Sequence, residues 1–351
     1  MRRRLRQAGE RPARVLVAGW FSFPRLGATA GDLLALEVTC GWLTEAGFAH
    51  DVAFDPTVGS GVDWRRVDPR AYSHLVFVCG PFYARRRLLR VLPRSAATAV
   101  SRAAPLLRRV GLARVDRIVL ELLVRRFDRC RQIGLNLSML GPERGWHPFA
   151  ALVPRDGAHG PPRADLALAH QGGLVPVVGV VLVEQGVGND DRRLLAARRA
   201  IDAVLADRSV AIVTIDTRLD RPNPGGLRTA AEVESLIARM DLVVTTRLHG
   251  AVLALKHGVP VVAVDVVDGG GKLTSQMSVL GWPQVFDADT LDPAAFGRAF
   301  DDCLRPGARD DAVAAGRRGV TLAGTARGEL LAALDPSGSA AGAAPPPEPR
   351  R

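Results

Sequence analysis

Two short segments combine residue types that hold anions and move protons. The first is TTRLHG, residues 245–250, where an arginine and a histidine lie two positions apart behind two threonines. Its two threonines end the apolar run 241–246, and it leads into a helical pattern. A phosphate or carboxylate at such a strand-to-helix turn would meet free backbone N–H groups, the Arg247 guanidinium and the hydroxyl of Thr246. His249 adds a group able to give or take a proton near neutral pH. The plainer alternative is a surface arginine beside a hydrogen-bonded structural histidine.

The second segment is DGGGKLTSQ, residues 268–276. Its glycines permit a tight turn and close backbone approach, which makes Gly270 and Gly271 candidate substrate contacts together with Lys272 and Gln276. The spacing is not that of a Walker A loop. Of 47 basic residues, only Lys256 and Lys272 are lysines. In a chain that uses arginine for nearly every long cation, a lysine beside three glycines points to a compact ammonium on a phosphate or oxyanion. Chance placement at a turn is the alternative. Lys256, just before Gly258, reads as a cation at a helix C-terminus.

Weaker candidates surround these. Arg218 leaves the end of a strand and is a second candidate anion ligand. Asp32, in GATAGD (27–32), lies near a helix start, where it either caps the helix or faces a cleft and binds a hydroxyl or acts as a base. Cys79-Gly80-Pro81 ends another strand. Trp20 and Phe21 would stack on a sugar face or fill core.

Several chemistries are excluded. The four cysteines are spread widely, without zinc or disulfide spacing. HExxH, the deaminase signature, the dinucleotide fingerprint and the nucleophile elbow are all missing. The N-terminus lacks the apolar run of a signal peptide, and no stretch is long and apolar enough for a transmembrane span. A cytoplasmic location is the expectation.

The elements that must position these residues alternate strand and helix. Strands are expected at 14–19, 51–54, 73–80, 132–138, 175–183, 209–215, 241–246 and 259–265. Helices are expected at 31–46, 191–206, 229–239, 250–257, 272–280 and 293–304. This pattern gives an α/β fold of two Rossmann-like domains facing a cleft, with ligands at the carboxyl ends of parallel strands. The boundaries read as a basic flexible N-terminus (1–13), a first domain (14–145), a linker (146–174), a second domain (175–330) and a disordered tail (331–351). The formal charge of +11 is local: residues 85–131 hold fourteen arginines against Asp116, Glu121 and Asp128. That interval reads as solvated helix surface or as a docking surface for an anionic membrane or substrate. With no recognition helix or RNA-binding aromatic pair, it does not read as a nucleic-acid site.

The run DLVVTTRLHGAVLALKHGVPVVAVDVVDGGGKLTSQMSVLG (241–281) resembles the signature segment of the polysaccharide pyruvyl transferase family. GATAGDLLALE (27–37) is similar to that family's N-terminal glycine–aspartate motif, and QIGLNLS (132–138) falls at its mid-chain strand. The resemblance spans residues 14–304. It implies a GT-B-like fold and transfer of a pyruvyl group from phosphoenolpyruvate to sugar hydroxyls, forming a ketal and releasing phosphate. It places Arg247 and His249 in the active site, with Lys272 and, less directly, Asp32. The first domain would be the acceptor side and the second the donor side. Arg247 and Lys272 would clamp phosphate and carboxylate, with Arg218 as a third cation and His249 as general acid. No metal or redox cofactor is required, since phosphoenolpyruvate is a co-substrate. A lipid-linked acceptor would bring the enzyme to the inner face of a membrane through residues 85–131. Two other classes remain open: a nucleotide-sugar-dependent glycosyltransferase of GT-B-like fold, and a non-catalytic glycan-associated protein.

Overall fold

The computed structural model describes residues 13–24, 26–82, 119–140, 147–157, 159–183 and 191–334. The chain divides into two compact units, residues 1–172 and 173–351. Each is built on a five-stranded sheet.

The first sheet has the order β2-β1-β3-β4-β5, with every pairing parallel. Its strands are β1 (Arg14–Gly19), β2 (Ala49–Val52), β3 (His74–Val78), β4 (Arg131–Met139) and β5 (Ala151–Gly157). Alternate residues enter different cores. Leu16, Ala18, Leu75 and Phe77 join one cluster, while Val15, Val17, Val76 and Val78 join another. Helix α1 (Ala30–Glu45) supplies Ala35 and Leu36 to the second cluster. It begins at a capping box of Thr29 and Asp32, and the chain turns at Gly47, where φ is +78°.

Helix α2 (Val119–Arg126) covers the other face through Leu120, Leu122, Leu123 and Val124. The arginine-rich interval is therefore not only solvated surface. Its described end is core, and Arg126 donates to the carbonyls of Trp64 (3.0 Å) and Val67 (2.7 Å). Residues 85–118, which carry most of the arginines proposed for membrane contact, lie outside the described residues, as do 1–12 and 335–351.

The second sheet has the order β10-β9-β8-β6-β7, again all parallel. The strands are β6 (Val177–Val181), β7 (Ala211–Thr214), β8 (Leu242–Thr245), β9 (Val261–Asp265) and β10 (Val285–Asp287). Counting each sheet from its own first strand, both have the order 2-1-3-4-5. Each therefore has a switch point between its first and third strands, β1/β3 and β6/β8. Helices α3 (Asp191–Ala206), α4 (Ala230–Ile237), α5 (Leu248–Lys256), α6 (Lys272–Leu280), α7 (Pro293–Cys303) and α8 (Ala308–Leu334) complete the unit. The apolar strands are buried throughout β8 and β9, as a sheet covered on both faces requires.

Three elements differ from the sequence expectation. The segment read as linker contains β5, whose Pro154 is tolerated because β5 is an edge strand. The three-residue β10 is too short to show a period. The 27-residue α8 continues to Leu334, into the expected tail. It buries only Ala308, Ala312 and Ala315, so it lacks the large apolar stripe that marks a helix in sequence. No helix among the described residues is long and apolar enough to cross a membrane.

Candidate active site

The switch point of the second sheet is closed by hydrogen bonds that begin with Thr245. This buried hydroxyl donates to Val181 O (2.7 Å) across the β6/β8 gap and accepts from Arg247 N–H (2.9 Å). Thr246 binds β6 as well: its N–H donates to Val181 O and its hydroxyl accepts from Val183 N–H at 2.8 Å. The two threonines thus fix the backbone that turns into α5. Thr246, expected at the substrate, is 7 % exposed and engaged with its own fold.

Arg247 is the N-cap of α5, with extended backbone. Its Nε donates to Leu182 O at 2.7 Å, past the end of β6, and its Nη2 lies 3.4 Å from Oδ1 of Asp216, past the end of β7. One guanidinium therefore spans three strand ends. Its Nη1 makes no hydrogen bond among the described residues. Helix α5 has no side-chain cap among the described residues, which leaves the N–H groups of its first turn beside this arginine without one. His249 is the second residue of α5 and is exposed. The helix starts two residues earlier than its sequence pattern suggested, which places the imidazole in the first turn rather than in a preceding loop.

The glycine of TRLHG has a steric reason. A methyl group on Gly250 would run into Thr245 Oγ1 and lie 3.0 Å from Val181 Cγ1. Only glycine lets α5 sit this close to the switch point.

The glycine-rich loop is organised by a residue that sequence reasoning missed. Asp265, the last residue of β9 and 2 % exposed, accepts hydrogen bonds from Val267 N–H (3.1 Å), Gly271 N–H (2.8 Å), Thr274 N–H (2.9 Å) and the Thr274 hydroxyl (2.7 Å). Gly269 and Gly270, at φ +70° and +82°, make the turn back to it. Burial pushes the Asp265 carboxyl up, but the hydrogen bonds from Thr274, Gly271 and Val267 outweigh this and hold it below the usual carboxylate range. Asp265 thus occupies the place an anion would take at the start of α6. Gly271 is the N-cap and spends its N–H on this carboxylate. Lys272 opens α6 and is exposed, a cation at the positive end of a helix with no ion pair among the described residues. Gln276, in the second turn, is partly exposed.

Arg193 braces the same loop. Its side chain is 2 % exposed, and it donates to Val267 O, pairs with Asp287 at 2.8 Å and Asp268 at 3.3 Å, and also meets Asp289. One arginine among 45 gives no sequence signal. Lys256 does more than finish a helix, because it and His257 both bind Glu234 of α4. Arg218 brings its backbone to the site, where its N–H donates to Asp216 Oδ1 at 3.0 Å. Its guanidinium turns to Asp220 (2.9 Å), whose carboxyl is held at about 2 mainly by that bond. Arg221 reaches Asp216 instead, at 3.3 Å.

Arg247, His249, Thr246, Gly270, Gly271, Lys272 and Gln276 therefore follow the ends of the paired strands β8 and β9. Asp32 belongs to the first unit. Its Oδ2 accepts from Thr29 N–H (2.7 Å) and the Thr29 hydroxyl (2.8 Å), so it caps α1. A cavity of about 310 Å³ lies near Trp282, Cys303, Asp311 and Arg318, and none of the expected site residues lines it.

Residues 182–268 match the family model of the polysaccharide pyruvyl transferases. The resemblance read from sequence is borne out over this segment, a shorter span than the expected 14–304. The match takes in Asp216, Arg218, Thr246, Arg247, His249 and Asp265. Gly270, Gly271, Lys272 and Gln276 follow it, and Asp32 precedes it. No curated protein matches the chain in sequence. Similar solved structures include the glycotransferase of kitacinnamycin, 15% identical with a TM-score of 0.30, covering 88% of this chain and 95% of that one. A spinosyn rhamnosyltransferase complexed with thymidine diphosphate is 14% identical with a TM-score of 0.29, covering 87% and 95%. A Methanocaldococcus jannaschii UDP-GlcNAc 2-epimerase is 10% identical with a TM-score of 0.28, covering 89% and 99%.

Two stability outcomes follow from this geometry. Gly250→Ala should cost about 1–3 kcal/mol by overpacking, read as a lowered denaturation midpoint. Asp265→Asn should destabilise by a similar amount, because an amide presents a donor to groups that already donate. Since the folded Asp265 pKa is depressed, its contribution is full above the unfolded carboxylate pKa and is lost as pH falls through the folded value. The gap between wild type and Asp265→Asn should therefore narrow in acid. A gap that is constant from pH 7 down to acid unfolding would contradict this.

Proposed function

We propose that this transferase moves a pyruvyl group from phosphoenolpyruvate to two hydroxyls of a sugar or glycan. The observation that carries the proposal is the N-terminus of α5 beside Nη1 of Arg247, both without a side-chain partner among the described residues, within the segment that matches the pyruvyl transferase family. Phosphoenolpyruvate carries phosphate and carboxylate on three carbons and calls for more than one cation. The phosphate binds the start of α5 and Arg247. The carboxylate takes Lys272, at the neighbouring strand end.

His249 donates a proton to the methylene carbon, which becomes the methyl group. Positive charge develops on the central carbon, and the first sugar hydroxyl adds there and loses its proton. The second hydroxyl then displaces phosphate from the same carbon and also loses its proton. Two protons are released and one is taken up by the methylene, while the second leaves with phosphate. The product is a cyclic ketal. The second unit is thus the donor side and the first the acceptor side, working with intracellular phosphoenolpyruvate in glycan biosynthesis. The Asp32 carboxylate contributes as a hydroxyl acceptor in the first unit. Metal and redox cofactors have no part in this scheme.

The test is phosphate release from phosphoenolpyruvate with candidate glycan acceptors. Arg247→Lys should lower kcat/KM about 10²-fold by losing the planar fork that spans three strands. His249→Ala should lower kcat by about 10² or more while leaving donor binding in place. Lys272→Arg, which keeps the charge, should cost about tenfold. Unchanged turnover in His249→Ala would remove the general-acid role. Release of a nucleoside diphosphate from a nucleotide sugar, with phosphoenolpyruvate inert, would assign the site to glycosyl transfer.

A further inference from the structure

The switch point of the first sheet carries different chemistry from that of the second. Trp20 directly follows β1, and its indole Nε1 donates to Pro81 O at 2.9 Å, just past the end of β3. The ring therefore bridges the two strands whose separation defines the switch point. Gly80 makes room for it: at φ +75°, an added Cβ would lie 2.6 Å from Trp20 Cδ1 and 2.7 Å from Nε1. Pro81 is itself paired with Ser138 of β4, so the carbonyl that holds the indole is fixed by the sheet. The ring packs on the core cluster containing Phe77 and Phe82 yet stays partly exposed.

Two further features mark this edge. Cys79 and Asn136, at φ +59° and +54°, are the non-glycine residues in the left-handed region among those described. They are adjacent, since Cys79 N–H donates to Leu135 O at 2.9 Å. Such backbone strain costs about 1–3 kcal/mol and collects at ligand clamps. Cys79 also ties this edge to α1, its Sγ donating to the Asp32 backbone carbonyl at 3.5 Å.

We propose that the Trp20 indole is a stacking platform for one sugar ring. A rigid aromatic plate suits a neutral, hydroxyl-rich ring that has one apolar face. The arginine and open helix start of the second sheet suit an anion instead. The platform deepens the acceptor side of the proposed reaction and rests on that reading for its biological ligand. Its chemistry can be tested apart from it.

The test uses the full chain labelled with 5-fluorotryptophan, with the Trp20 fluorine resonance assigned by its loss in Trp20→Phe. The probes are the methyl α- and β-glycosides of glucose, galactose, mannose and N-acetylglucosamine, with phosphoenolpyruvate titrated separately. At least one glycoside should shift the Trp20 resonance saturably while the Trp42 resonance, from the exposed face of α1, stays in place. Trp20→Ala should weaken that glycoside about tenfold, and Trp20→Phe by less than about threefold, because the ring plane is kept. The phosphoenolpyruvate affinity should be unchanged in both variants. A Trp20 resonance unmoved by every glycoside would overturn the platform, as would wild-type glycoside affinity in Trp20→Ala. Failure of the wild type to bind phosphoenolpyruvate or release phosphate, with Trp20 still responding, would remove pyruvyl transfer and leave the platform standing.

Discussion

One guanidinium closes the ligand edge of the second sheet. At a switch point the flanking crossovers leave in opposite directions, so the first and third strands end with nothing packed between them. Arg247 lies across this crevice, beyond the last paired residues Val181 and Thr245. Its Nε takes the carbonyl past β6, and its Nη2 reaches Asp216 past β7. The neighbouring residues are constrained by that placement. Thr245 fixes the backbone N–H of Arg247, Gly250 lets α5 approach β8, and Asp216 supplies the opposing charge. An arginine used only as a surface cation would need none of these. An arginine held by two of its nitrogens has little left to lose in entropy when a ligand takes the third.

The same edge has a second helix start that looks similar in sequence and is physically different. Helix α6 follows three glycines and a loop, a pattern that suggests backbone N–H groups waiting for phosphate. The Asp265 carboxylate already accepts from Gly271 and Thr274. What the glycines provide is the turn that carries the chain back to this carboxylate, and with it the placement of Lys272. The anion binding by backbone that we propose is therefore assigned to α5, while α6 offers a side-chain ammonium. Arg193 completes the arrangement from beneath. Without its charge, Asp268, Asp287 and Asp289 would put uncompensated negative potential beside the proposed anion site.

The legible parts of the fold were those with a strong period or a strong stop. Helices at 191–206 and 272–280 match the expectation to the residue, and the apolar strands ending in TTRLHG and VPVVAVD are where their hydrophobic runs placed them. Edge strands and small-residue helices were not legible. β5 carries proline, arginine and aspartate because an edge strand has half its backbone unpaired, and α8 packs through alanines too small to stand out. At the site, residue types were readable while partners were not. Arg247 and Arg218 look alike in sequence, yet one reaches across a sheet and the other folds back on Asp220 two residues away. Asp265 and Asp216 were hidden for the same reason, since their importance lies in bonds to residues whose proximity only the fold creates.

Both sheets have the same strand order, so topology alone would give each a ligand edge at the same place. The chemistry there is set by what stands at the ends of the first and third strands. In the second sheet the third strand sends Arg247 across to a backbone carbonyl past the first, which sets a guanidinium at the strand ends. In the first sheet the direction is reversed: the first strand sends Trp20 across to a backbone carbonyl past the third, which leaves an aromatic plate. A glycine stands near each bridge for its own steric reason: Gly250 lets α5 approach Thr245 and Val181, and Gly80 leaves room for the Trp20 ring. The two edges are thus the same mechanical solution carrying different side chains, a guanidinium in one and an indole in the other.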